Sequence, residues 1–137
     1  MSRLPMPVRD RLRSAGLRPT RQRQALGELL FAGGDRHVSA EALHVEARRA
    51  GIAVSVATVY NTLHQFTEAG LLREVVVDGS RTQFDTNTSN HHHFLFEDGL
   101  LVDIPAGDFT VTGMPDVPKG TRVIRIDILV RLARTVD

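Results

Sequence analysis

The chain has 137 residues, no cysteine, and 17 basic against 16 acidic side chains, a formal net charge of +1. That length allows one domain or two small ones, and the missing thiols exclude disulfides, thiolate zinc sites, cysteine nucleophiles and thiol redox sensing together. With no run of about 18 apolar residues and no signal-peptide pattern, the expectation is a cytoplasmic protein that engages no membrane and holds any metal through His, Asp or Glu.

The near-neutral total hides an asymmetry. Residues 1–70 hold ten Arg against six acids, and residues 71–137 hold seven Lys or Arg against ten acids. Arg3, Arg9, Arg11, Arg13, Arg18, Arg21 and Arg23 face a single Asp10. A basic half on a neutral protein suits a polyanion contacted by that half. A solvated arginine face is the plain alternative.

Pro5 and Pro7 open a first helix, with Val8, Leu12 and Ala15 on one side and Gly16 as its stop. Thr20 is the expected N-cap of a second helix that turns Ala25, Leu26, Leu29 and Leu30 inward and ends at Gly33-Gly34. His37 falls in the loop that follows. Ser39 caps a third helix, packing Ala42, Leu43, Ala47 and Ala50. Ser55 caps a fourth, running to about Ala69. There Val56, Val59, Leu63 and Phe66 gather on one side, and Ser55, Thr58, Asn61, Thr62 and Gln65 on the other. An uncharged face of hydroxyl and amide groups suits a DNA groove; a protein interface is the alternative.

Leu72 to Asp78 reads as a strand, Asp78-Gly79 as a tight turn, and Arg81 to Asp85 as the returning strand. Helices followed by this hairpin form a winged helix-turn-helix pattern, with the fourth helix in the major groove. Arg73 and Arg81 on the hairpin are candidate phosphate contacts.

Beyond a linker at residues 87–90 the composition changes. Three of the six histidines stand together at His91, His92 and His93, ahead of Phe94, Leu95 and Phe96. On a strand His91 and His93 share one face, a ready chelate for a transition metal, while His92 points the other way with Phe94 and Phe96. Leu100 to Ile104 is the return strand. A two-residue turn at Asp98-Gly99 sets Asp103 opposite Phe94, away from His91 and His93; a loop one residue longer puts all three on one face. Residues 106–121 are a Gly- and Pro-rich loop. Arg122 to Leu132 alternates apolar and polar residues as a long strand.

The expected fold class is α+β. A winged helix-turn-helix occupies residues 1–86, and a small, β-rich α/β dimerisation half occupies residues 91–137. That second half is too thin to stand alone, so a second subunit is expected to complete it.

Several stretches resemble the ferric uptake regulator (Fur) superfamily: Gly16-Leu17-Arg18-Pro19-Thr20-Arg21-Gln22-Arg23, His37-Val38-Ser39-Ala40-Glu41, Ala57-Thr58-Val59-Tyr60-Asn61-Thr62-Leu63 and Phe84-Asp85. Within it, Leu63 to Glu74 and Asn87 to Phe94 are most similar to the iron response regulators (Irr) of alphaproteobacteria. The resemblance implies a homodimeric transcription factor on an AT-rich, roughly palindromic operator, controlling iron and haem homeostasis genes. It implies a regulatory site for Fe2+, Mn2+ or Zn2+ at His37, Asp85, His91, His93 and Asp103, and haem at the triplet His91, His92 and His93. His92, facing away from the metal set, is the spare axial ligand. It also implies DNA contacts from Arg18, Arg21, Ser55, Thr58, Tyr60 and Asn61. Many members carry Arg where Asn61 stands, so the sequence preference is expected to differ. The cysteine pairs of the family's structural zinc are missing, with Phe96 and Gly99 near the first pair, so no Cys-ligated zinc is expected. The C-terminal helix of longer members also looks absent, the chain ending just after the last strand.

The leading reading is a metal- or haem-controlled regulator and not an enzyme. A peroxide-sensing repressor that oxidises its own metal-binding histidines is an alternative. A small His/Asp metalloenzyme is another, but no separate general base or substrate pocket is legible for it.

Overall fold

Three of the four helices among the described residues start at a hydroxyl side chain. In this computed structural model, which describes residues 6–78, 81–105 and 107–136 (the side chains of residues 78 and 81 excepted), Thr20 Oγ1 accepts from Arg23 N at 3.2 Å, Ser39 Oγ from Ala42 N at 3.1 Å and Ser55 Oγ from Thr58 N at 3.1 Å. Each satisfies an orphan amide of the first turn. The helices are α1 (Val8–Ser14), α2 (Arg21–Phe31), α3 (Ala40–Arg49) and α4 (Val56–Glu68). The expected opening at Pro5 and the turn at Gly79 lie outside the described residues.

The chain divides into two compact units, Met1–Thr88 and Ser89–Asp137. In the first, the apolar faces of the helices close on one core. Leu12, Leu26, Leu30, Leu43, Val59, Leu63, Phe66 and Phe84 have no accessible surface. A three-stranded antiparallel sheet, ordered β1-β3-β2, edges this core. Its strands are β1 (His37–Val38), β2 (Arg73–Asp78) and β3 (Arg81–Asp85). β1 was expected as loop; two residues are too few to show a strand's alternation, and pairing with β3 alone creates it. On α4, Thr62 is buried at 5 % exposure and Val56 is 44 % exposed, the reverse of the expected faces. Val56 sits in the first turn, beyond the reach of the core.

Gly27 explains how α1 reaches α2. A Cβ there would stand 2.6 Å from Val8 Cγ1. Alanine normally favours a helix over glycine by about 1 kcal/mol, but here overpacking wins. Gly27→Ala is expected to lower stability by about 1–3 kcal/mol, and Val8→Ala in the same chain to recover part of it, both read from urea denaturation.

The second unit is a sheet ordered β5-β4-β6, built from β4 (His92–Phe96), β5 (Leu101–Ile104) and β6 (Leu129–Leu132). β4 and β5 run antiparallel, and β6 lies parallel to β4 on its other edge. The hairpin loop holds three residues, 97–99, closed by Gly99 N donating to Phe96 O and Phe96 N to Leu100 O, both at 2.9 Å. Gly99 takes φ +93°, a left-handed position that glycine occupies without strain. The longer loop sets His93 opposite Asp103. Of the two registers left open by the sequence, this is the one that puts His93 and Asp103 on a common face.

The expected long strand at residues 122–132 is ordered as a strand only at Leu129–Leu132. Ile124 is 84 % exposed. Alternation marks a segment able to pair, but only its end does so here: His93 N of β4 donates to Ile128 O at 3.2 Å, and residues 122–127 pair with no strand among the described residues of this chain.

Candidate metal centre

The first group of ligand-type residues lies in unit one. Antiparallel pairing of β1 with β3 sets His37 opposite Asp85, and His37 Nε2 stands 3.2 Å from Asp85 Oδ2. Asp85 has no accessible surface, and its Oδ1 accepts from Asn87 N at 2.9 Å. That bond fixes the carboxylate so that Oδ2 faces the histidine. A buried carboxylate is costly without a compensating charge.

The segment carrying His37 is fastened on both sides. Arg36 N donates to Thr86 Oγ1 at 2.8 Å, and Thr86 N donates back to Arg36 O at 3.0 Å. The Arg36 guanidinium forks onto Glu46 of α3 at 2.9 and 2.6 Å and reaches Leu29 O of α2 at 3.2 Å. Hydrogen bonding from Arg36 holds the Glu46 carboxyl below its usual range, and Glu46 in turn raises Arg36. The stability from this pair is complete above the ordinary Glu value and is lost as pH falls through the depressed one.

The second group lies in unit two. His91 and His93 are each 3 % exposed, with ring centroids 4.6 Å apart. Their Nε2 atoms both stand 3.3 Å from the same oxygen, Asp103 Oδ1. His91 Nδ1 donates to Ser89 O at 2.7 Å. In the neutral ring that bond places the proton on Nδ1, so Nε2 turns its lone pair toward a carboxylate oxygen. Two such acceptors face each other stably only around a cation or a proton. Imidazole nitrogen and carboxylate oxygen, with the outer ring nitrogen anchored on a carbonyl, fit a divalent first-row ion.

His92 differs. Its Nδ1 accepts from Ile128 N at 3.2 Å, so in the neutral ring Nε2 carries the proton. Its ring packs against Phe109, centroids 5.4 Å apart.

The expected DNA-facing residues all belong to unit one. Arg18, Arg21, Ser55 and Asn61 are exposed and Thr58 is half-buried. Tyr60 is half-buried, its ring 5.3 Å from His64 and 6.4 Å edge-on from Phe84, so only part of it faces outward. Arg73 is 6 % exposed, so the expected phosphate contact there does not hold. The side chain of Arg81 lies outside the described residues. The anchoring carbonyl of Ser89 escaped sequence reasoning, since a backbone oxygen leaves no mark in residue types.

A winged helix followed by a small β unit, each bearing a His/Asp group, defines the class. The chain belongs to the ferric uptake regulator family, whose model matches residues 14–104. It is 38% identical over 93 residues to the peroxide-responsive repressor PerR of Staphylococcus aureus strain Mu50 / ATCC 700699, a stretch covering 67% of this chain and 62% of that protein. Among solved structures it is similar to the ferric uptake regulator of Pseudomonas aeruginosa with manganese, at TM-score 0.74 and 25% identity, over 96% of this chain and 100% of that one. The Vibrio cholerae ferric uptake regulator shares the fold at TM-score 0.71 and 23% identity, over 92% and 98% of the two chains. Among the described residues no helix is long and apolar enough to cross a membrane.

Proposed function

We propose that the chain is a homodimeric DNA-binding repressor controlled by one divalent ion, Fe2+, Mn2+ or Zn2+, held jointly by His37, Asp85, His91, His93 and Asp103. Residues 1–86 read an AT-rich, roughly palindromic operator, and residues 91–137 dimerise and sense. The observation that carries the reading is the convergence of the His91 and His93 Nε2 atoms, both buried, on one Asp103 oxygen. The second support is the His37–Asp85 pair on the winged helix. When bound, the ion supplies an attractive centre for all five donors. Two half-sets on two halves of the chain then favour one arrangement of those halves over others, which is a population shift. The alternating, largely exposed segment at residues 122–127, which pairs with no strand among the described residues, supports the dimer.

A gel shift on an AT-rich palindrome tests it. Binding with Mn2+ is expected to be tighter than with chelator by about 5–150-fold, the usual range of a coupling between two sites. Equal binding in both conditions contradicts the regulatory reading.

A peroxide response is the second reading, favoured by the PerR relatives and by a donor set free of sulfur. Iron(II) bound by His37, His91 and His93 would supply electrons to peroxide beside their imidazoles. Mass spectrometry after peroxide would then find 2-oxo-histidine at His37 or His91 in iron-loaded protein but not in manganese-loaded protein. An iron response regulator reading, with haem held at His91–His93, rests on the triplet and on the resemblance of Leu63 to Glu74 and Asn87 to Phe94. Ligation through His92 Nε2 requires the ring to give up its bond from Ile128 N.

A further inference from the structure

Gln65 on the polar face of α4 and Arg23 in the first turn of α2 are absent from the DNA contacts expected above. Arg23 lies two residues after the expected Arg21 contact, and Gln65 lies one turn beyond Asn61. Arg23 donates from both Nε (3.3 Å) and Nη2 (3.1 Å) to Gln65 Oε1. Its Nη1 donates to Arg18 O at 2.9 Å. Arg23 thus ties the α1–α2 loop to α4. Gln65 is exposed and, with Thr20, Thr58, Asn61 and Thr62, lines a polar notch of about 320 Å³ beside α2.

The consequence lies in the amide. A glutamine is ordinarily both acceptor and donor, and in that form it matches adenine with two bonds, accepting from N6 and donating to N7. A guanidinium carries only donors, so it fixes the amide orientation and occupies Oε1. What Gln65 then offers outward is its NH2 group, two donors and no acceptor. We infer that Gln65 is a donor-only, specificity-determining residue that selects a guanine or thymine edge in the major groove, with Arg23 as the positioning residue that makes it so. Guanine presents N7 and O6 and thymine presents O4, all acceptors. Cytosine presents a donor and is refused, and adenine loses its two-bond match. Thr58, Asn61 and Gln65 recur at i, i+3 and i+7, the spacing of one helix face. The inference rests on the DNA-binding reading.

Selection from a pool of randomised duplexes, with Mn2+ present, tests it on the full chain. Wild type is expected to enrich guanine or thymine at one base position. Arg23→Met is expected to shift that same position toward adenine by about fivefold or more, the lower end of what a good bidentate pair contributes, with other positions unchanged. Gln65→Met, a substitution on an exposed helix face, is expected to flatten that position alone. A general loss of affinity in Arg23→Met with an unchanged profile overturns the inference, as does an unchanged profile in Gln65→Met. No enrichment by wild type overturns the DNA-binding reading itself and the inference with it, so the two failures are distinguishable.

Discussion

His93→Ala is expected to weaken Mn2+ or Zn2+ binding by more than about 100-fold, beyond the roughly 10–100-fold that loss of an outer-shell partner costs. His93 stands directly opposite Asp103 in the β4–β5 ladder, and its Nε2 reaches the same oxygen as His91. Removing it takes away a nitrogen donor and leaves a carboxylate facing one imidazole. Metal-free DNA binding should persist in this variant, because no proposed DNA contact is touched. The response of DNA binding to metal should vanish. Competition with a metallochromic chelator reads the first effect, and titration of an operator duplex with and without Mn2+ reads the second. Metal affinity equal to wild type removes His93 from the site.

Phe84→Ala is expected to destabilise the protein by about 3–5 kcal/mol, a large part of the roughly 5–15 kcal/mol that holds a typical domain. Phe84 has no accessible surface. Its ring meets Tyr60 and His64 of α4 edge-on, at 6.4 and 5.6 Å, and its backbone pairs with Val38 of β1. The residue therefore joins α4 to the sheet that presents His37 and Asp85. Truncation leaves a cavity that a two-residue strand and a capped helix are poorly able to collapse into. Urea denaturation followed by circular dichroism should show a lower midpoint with an unchanged slope. Phe84→Leu, closer in volume, should keep most of the stability. A loss below about 1 kcal/mol for the alanine variant would show that the site collapses around the gap.

The helical half was legible because its signals are local. Thr20, Ser39 and Ser55 announce their helices through side chains that bond three residues on, and the apolar spacing of α4 follows its own turn. The β-rich half was legible only in part, because strand signals state a readiness to pair and never name the partner. His37 hid in a strand of two residues whose existence depends on Asp85 and Phe84, more than forty residues away. Asp103 depended on a single residue of loop length, decided by where Gly99 turns the backbone. The alternation at residues 122–127 was real, but no strand of this chain answers it among the described residues. The Arg23–Gln65 bond spans 42 residues and joins two elements whose own patterns are complete without it.

In the proposed regulator the two His/Asp groups serve one ion. Equilibrium dialysis of Zn2+ against wild type, His37→Ala, His93→Ala and the double variant tests it most directly. One ion per chain is expected in wild type, with high affinity lost in both single variants and the double variant little worse than either, the non-additivity of residues that share a partner. Wild-type affinity and stoichiometry in His37→Ala would contradict the account, leaving His91, His93 and Asp103 as a site of their own.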